Sequence, residues 1–516
     1  MTTTQIHKTA WATERLAGRR ADVRLAGSGI AVDLLAAILA RGGLQVTVAG
    51  GAGQTGPAGV NTVPYTAELF YLLADRFRVP EIADLAMFGR LPAALQATSG
   101  VKQSLGFPYH RARSAHDHQE NVQFTVPGEH AEWHAYLPDV QLRTRAIAER
   151  YGARYTDEGG AVLELDCTGG GRPGGLHATA LFTGLVPFEQ LRPSRDGGYT
   201  LPWSEGSTAH AVRGGWLHLT PFGNHPGGTN PGVAVTLRLA GGPADADPDE
   251  VLARLAAQYP DLGLQLRGAV RTGPWVSSAT GPPDDRQLLP GEGALALDLG
   301  HGEALFGQNL TLALELVHAA GALLLRPGAL AGSEAAASTA RALADFQREL
   351  LTENAWFAGA VLAATGNFAT WNAAVRVWLL WSISSALALK KVRIDSARSG
   401  NWAAASKFDR GVGWFDLAPG IAGVVSRSAR ELATTAEVGV SPAAVAARVF
   451  RLLSQRRIIP PLYKFGDPAA RRYQLNLPTR LKLMAWVFTI APKEYKGMLT
   501  ADNITAVPDA EAELKR

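Results

Sequence analysis

The chain of 516 residues contains one cysteine, Cys167, which excludes an intramolecular disulfide and any multi-cysteine zinc site. Such scarcity fits a reducing compartment, and a cytoplasmic location is expected. Charge of one sign is also scarce, because 50 Lys and Arg face 46 Asp and Glu, a net of +4. Nucleic-acid binding calls for a concentrated basic stripe. The one basic cluster with aromatic neighbours, Arg451 to Lys482 with Arg456, Arg457, Arg471 and Arg472, reads instead as a solvated helix face and loop. No uninterrupted run of 18 apolar residues occurs, so no transmembrane segment is expected. The opening MTTTQIHKTAWATERLAGRR lacks the apolar stretch of a secretion signal. Thr479–Ile490 is apolar with basic flanks, a composition able to touch a membrane, but it reads better as a helix packed on the body. G-x-S-x-G elbows, P-loops and internal repeats are absent too.

With 47% hydrophobic and 19% charged residues the chain is globular, and its length allows two or three substructures. Ala21–Ala26 reads as a buried strand, followed by Gly27-Ser28-Gly29, an apolar helix over Ile30–Ala40, a Gly42-Gly43 stop and a strand over Leu44–Val48. This β-α-β unit is the start of a doubly wound α/β fold of the Rossmann type. Helices are predicted over Ala67–Arg78 and Pro138–Tyr151. From Ala161 to Leu239 the pattern is strand-like and broken by Gly and Pro, which suggests a second, sheet-rich lobe. Beyond about Gly332 the chain is Ala- and Leu-rich with helical spacing. The expected organisation is a tail over 1–20, a dinucleotide-binding core over 21–160 and 293–330, a sheet-rich substrate lobe over 161–292 and a helical region over 331–516.

A helix N-terminus preceded by close-packed glycines binds a pyrophosphate, because bare N–H groups and the helix dipole point at the anion. Gly27 and Gly29 supply the first two fingerprint glycines, whereas the third position is Val32. The acid that normally ends the second strand and binds ribose hydroxyls is missing, for Val48 runs into Ala49, Gly50 and Gly51. His110, His116 and His118, with Asp117 and Glu120, are close in sequence. Histidines at i, i+2 share a strand face, but no helical HxxxH spacing occurs, so the segment reads as polar loop and no metal is expected. Asp284-Asp285, after Gly281-Pro282-Pro283, reads as turn chemistry.

Several further segments resemble the flavin-dependent halogenases of the aryl, phenol and pyrrole type. In SGVKQSLGF, Ser99–Phe107, Lys102 stands where that family has its catalytic lysine. GGWLHLTP, Gly214–Pro221, is similar to the family's Trp-x-Trp-x-Ile-Pro: Trp216 and Pro221 match, His218 replaces the second Trp and Thr220 the Ile. FGNHPGGTNP at Phe222–Pro231, Tyr136–Asp139 with Ile147–Ala153, and Ile459–Tyr473 with Leu477–Trp486 continue the likeness. Two flavin segments depart from the family. The Gly-Glu-Ser-Thr-x-Pro loop reads GVNTVP at Gly59–Pro64, keeping Thr62 and Pro64 but placing Val60 and Asn61 at the Glu and Ser. The second reads ALDLGHGEALFGQN at Ala296–Asn309, keeping Asp298, Gly300 and Gly302, with Ala304 for Pro and Gly307 for Ser.

The resemblance implies reduced FAD delivered by a separate flavin reductase, and a halide. It implies a flavin hydroperoxide that yields hypohalous acid, which travels to Lys102 and halogenates a small electron-rich aromatic in bacterial secondary metabolism. Carrier-bound and free substrates are both open. It assigns the flavin to Gly27, Gly29, Thr62, Pro64, Asp298, Gly300 and Gly302, and the tunnel or substrate wall to Trp216, His218, Pro221 and Phe306. Phe306 holds the place where tryptophan-type relatives carry a Glu. Val32, Ala49, Val60 and Ala304 leave two alternatives open. One is a flavin monooxygenase that does not use halide; the other is a flavin-free enzyme or pathway partner.

Overall fold

The computed structural model describes residues 21–50, 58–125, 132–168, 175–191, 206–240, 246–277, 289, 294–299, 305–306, 309–406, 420–461, 463–473 and 477–491. Strand Ala21–Ala26 lies at the centre of a five-stranded parallel sheet, between Val46–Ala49 and Ala161–Asp166. Arg154–Tyr155 and Ala294–Ala296 form its edges. Val23, Leu25, Val46, Val48, Leu163, Leu165 and Leu295 of these strands are buried, as in a parallel sheet covered on both faces. Helix Ile30–Arg41 follows the first strand and buries all but its last two residues. The next helix spans Pro64–Phe77 and starts earlier than its hydrophobic pattern suggests. Pro64 takes the first helical position, where its missing N–H costs nothing, and Thr66 Oγ1 accepts the Val63 N–H at 3.1 Å.

A nine-stranded sheet forms the second layer, with long antiparallel strands Leu176–Thr183, Val233–Leu239, Gly215–Pro221 and Gly206–Val212 side by side. Two membership details differ from the boundaries drawn on the sequence. Ala161–Asp166 joins the parallel core, while Ser104–Pro108 and Asn121–Thr125 extend the second sheet. Alternation identifies a strand, but it carries no information about which sheet the strand joins. Arg472–Tyr473 pairs with Gln123–Phe124 and so fastens the C-terminal region to this sheet.

Helices Ser333–Ala364, Phe368–Ser399, Ile421–Ala433, Pro442–Leu453 and Leu477–Thr489 make the C-terminal region helical. Phe368–Ser399 is long and apolar enough to cross a membrane, yet its apolar window is 83% buried inside the protein. Fully buried Arg376 on this helix donates to the carbonyls of Lys464, Phe465, Asp467 and Ala470, and so ties down the loop before Arg472. Helix Leu477–Thr489 packs through Leu483, Trp486 and Val487, while Leu477, Leu481 and Phe488 are exposed. The doubly wound core, second sheet and helical C-terminal region are therefore all present, as the sequence suggests.

Candidate active site

A small antiparallel sheet of Gly59–Asn61, Glu132–Tyr136 and Gly100–Lys102 bridges the two layers. Its register sets Lys102 directly opposite Glu132. Lys102 is 1% exposed, and its Nζ donates to the Glu132 carboxylate and to the Thr62 carbonyl, each at 2.5 Å. Burial lowers the Lys102 ammonium from its ordinary range and raises the Glu132 carboxyl, and each partner opposes the other's shift. A lysine in this setting is a fixed, desolvated donor rather than a side chain reaching for water. Thr62 Oγ1 accepts the Trp133 N–H at 2.8 Å, which holds the Thr62 carbonyl in place.

Asn61 and Thr62 link this pair to a group of aromatic rings. Asn61 Nδ2 donates to the Phe306 carbonyl at 3.2 Å, one residue from the carbonyl that holds Lys102. Phe306 adopts a left-handed backbone, φ 53°, and its ring lies 4.9 Å from Phe107, 5.2 Å from Trp216, 5.6 Å from Trp371 and 5.1 Å from Trp378. A left-handed phenylalanine is strained, and it persists only where surrounding contacts over-determine it. Trp216 and His218 point to the same face of strand Gly215–Pro221, since residues two apart share a face. Burial, then the nearby Lys102 charge, lowers His218 to about 3, so it is neutral at ordinary pH. His134 is also held at about 3, chiefly by burial, and its Nδ1 lies 2.8 Å from the Pro221 carbonyl. Gly100 must lack a side chain because a Cβ would sit 2.2 Å from that carbonyl.

Asn61 Oδ1, His218 Nε2 and Trp378 Nε1 are buried and have no hydrogen-bond partner among the described residues. Leaving such atoms unpaired costs about 1–3 kcal/mol each. Glu132, Trp371 and Trp378 did not emerge from the sequence. The one acid in strand EWHAY was the available signal for Glu132. Nothing in the helical spacing of Phe368–Ser399 separates the two tryptophans from ordinary core.

On the dinucleotide side, Gly27 and Gly29 have φ of 138° and 128°. A Cβ on Gly27 would lie 3.0 Å from the Cys167 carbonyl, whereas one on Gly29 would meet no described residue within 4 Å. The loop is thus packed against the sheet on one side and open at the helix N-terminus on the other, which fits a pyrophosphate. Val32 is buried and accommodated within the helix packing. Asp298 follows strand Ala294–Ala296 and is placed by Gln347 Oε1, which accepts its N–H at 2.7 Å. Pro64 starts its helix two residues after Thr62. Gly300, Gly302 and Ala304 lie outside the described residues.

Residues 111–117 form a mostly exposed loop, as the sequence suggests, but two of the segment's histidines are not exposed. His110 and His116 are buried, His110 Nε2 lies 2.8 Å from His210 Nδ1, and Phe188 and Tyr259 pack on them. The contact arises because strand Gly206–Val212 brings His210 beneath the segment, a long-range pairing invisible in local spacing. No group of three potential ligands with metal geometry occurs among the described residues.

A parallel dinucleotide-type core joined to a second sheet, with a buried lysine on the small sheet beside them, resembles the architecture of the flavin-dependent halogenases. The chain is 25% identical over 539 residues to monodechloroaminopyrrolnitrin halogenase PrnC of Pseudomonas fluorescens, spanning 92% of this chain and 93% of that protein. It is 27% identical over 415 residues to the tetracycline 7-halogenase of Kitasatospora aureofaciens, spanning 70% and 73%. The crystal structure of halogenase PltM in complex with phloroglucinol and FAD shares the fold, with TM-score 0.74 and 20% identity, over 88% of this chain and 99% of that one. No family model matches the chain.

Proposed function

We propose that this protein is an FAD-dependent halogenase that places chlorine or bromine on an electron-rich phenol or pyrrole, free or carrier-bound, in cytoplasmic secondary metabolism. The observation that carries this reading is Lys102, buried and held by two acceptors next to an aromatic enclosure with unpaired polar atoms. Gly27, Gly29, Thr62, Pro64 and Asp298, with Gly300 and Gly302, would hold FAD supplied in reduced form by a separate flavin reductase; with dioxygen as the oxidant it would supply hypohalous acid from halide, with oxidised FAD and water as the other products. Lys102 donates a hydrogen bond to the oxygen of that acid and polarises its bond to halogen. As a ring carbon bonds the halogen, the oxygen–halogen bond breaks and the Lys102 proton passes to the departing hydroxide, giving water. The ring proton, released as aromaticity returns, restores the Lys102–Glu132 pair. Trp216, Phe306, Trp371 and Trp378 exclude bulk water, which would otherwise compete for the oxidant. His218, neutral and with Nε2 unpaired, is placed to orient the oxidant or the substrate. Pro221 supports the wall through its carbonyl.

The test is Lys102→Ala assayed with reduced flavin, bromide and a panel of phenols and pyrroles. Halogenation is expected to disappear while FAD binding persists; halide transfer at the wild-type rate would reject the role of Lys102. Oxygenated product formed equally with and without halide would instead favour a flavin monooxygenase.

A further inference from the structure

The strand that should end in a ribose-binding acid ends in Ala49 and Gly50, yet a carboxylate stands beside it. Asp157 follows the neighbouring parallel strand Arg154–Tyr155, and its Oδ1 accepts the Gly50 N–H at 3.0 Å. Gly50 is in turn packed on the fingerprint loop: a Cβ there would lie 3.1 Å from the Gly27 carbonyl oxygen, and its φ is 116°. Asp157 thus occupies the space beside the end of the second strand where the acid of a dinucleotide fold belongs.

The placement is braced from three directions. The Thr156 N–H donates to the Val48 carbonyl at 2.9 Å. Arg24, on the central strand, donates to the carbonyls of Asp157 and Gly159 at 3.2 and 3.0 Å. Asp157 itself is exposed, and its second oxygen, Oδ2, has no partner among the described residues. One carboxylate oxygen is therefore spent on orientation and the other is free to accept.

We propose that Asp157 replaces the missing acid and accepts a hydrogen bond from a ribose hydroxyl of the adenosine half of FAD. The inference rests on the flavin reading above. It also explains how a chain with Ala49 and Gly50 at the usual position retains a dinucleotide site, because the carboxylate comes from one strand further along the sheet. A bare Gly50 suits this arrangement: its N–H orients Asp157, and a side chain there would crowd Gly27 and strain a backbone at φ 116°.

The experiment is equilibrium binding to the full-length protein, read by flavin fluorescence for FAD and by its displacement for ADP, 2′-deoxy-ADP and 3′-deoxy-ADP. Wild type is expected to prefer ADP over at least one deoxy form. Asp157→Ala and Asp157→Asn are expected to weaken FAD and ADP by about tenfold to hundredfold, the size of one lost charge-assisted hydrogen bond. Both should erase the preference for ADP over its deoxy forms, a readout that general loosening of the loop would not produce. Circular dichroism should match wild type, since the residue is exposed. FAD and ADP affinities unchanged in both variants, or a deoxy preference that survives them, would overturn the role of Asp157. Absence of FAD binding by wild type in either redox state would overturn the flavin reading itself, and with it this inference.

Discussion

Removing one member of the Lys102–Glu132 pair should cost more than removing both. The two side chains are 2% and 7% exposed, joined at 2.5 Å, and among the described residues Lys102 has the Thr62 carbonyl as its second acceptor. Glu132→Gln leaves a buried ammonium without a counter-charge, a change that costs about 3–5 kcal/mol. Lys102→Met leaves the opposite charge stranded and should cost a similar amount. Lys102→Met/Glu132→Leu removes both charges and should lie near wild type or above it, because well-packed apolar replacements of a buried pair are often neutral or stabilising. The Glu132→Gln loss should shrink as pH rises. An ammonium already lowered by burial and now unopposed sheds its proton at lower pH in the folded state than in the unfolded one. The folded protein then gains stability as pH climbs through that value. Urea unfolding at two pH values reads all three variants. Single variants within about 1 kcal/mol of wild type, or a double variant equal to the sum of the singles, would refute a desolvated ion pair.

Three further outcomes are expected. Asp33 is buried in the first turn of helix Ile30–Arg41, accepts from Tyr155 and Thr144, and is raised by burial to about 6. The folded state therefore binds the extra proton between pH 4 and 6, and stability should fall as pH rises through that window, by about 3 kcal/mol in full; Asp33→Asn should flatten the descent in pH-dependent urea unfolding. Trp216→Ala should destabilise by about 3–5 kcal/mol and uncouple oxidant production from halogenation, measured as peroxide released per turnover, whereas Trp216→Phe should do much less. Gly27→Ala puts a Cβ within 3.0 Å of the Cys167 backbone at a φ of 138°, so it should lower stability and FAD affinity together, as thermal shift with and without FAD would show.

The sequence made the core legible where physics is local. Gly27-Ser28-Gly29 between a strand and an apolar helix marks the crossover, and the structure places it at the centre of the parallel sheet. Lys102 was legible by position in its motif, but its partner was not. The Glu132 side chain reaches Lys102 through cross-strand register, which spans 30 residues and is set by backbone pairing rather than by any spacing. Trp371 and Trp378 were hidden for a related reason, because residues 370–380 are buried on every side of their helix and its spacing does not single out the rings that meet Phe306. The missing acid after Val48 was read correctly as an absence. What replaces it depends on strand order, since Arg154–Tyr155 neighbours Val46–Ala49 only in the folded sheet. Likewise His110 meets His210, 100 residues later in the chain, through strand pairing that local spacing does not reveal.

The central claim is halide transfer through Lys102, and a mass-spectrometric halogenation assay tests it most directly. Purified protein, FAD, a flavin reductase, NADH, oxygen and bromide are mixed with a panel of phenols and pyrroles. The account expects a product carrying the paired bromine isotope peaks with wild type and none with Lys102→Ala, while both proteins bind FAD. A brominated product formed equally by both would contradict it.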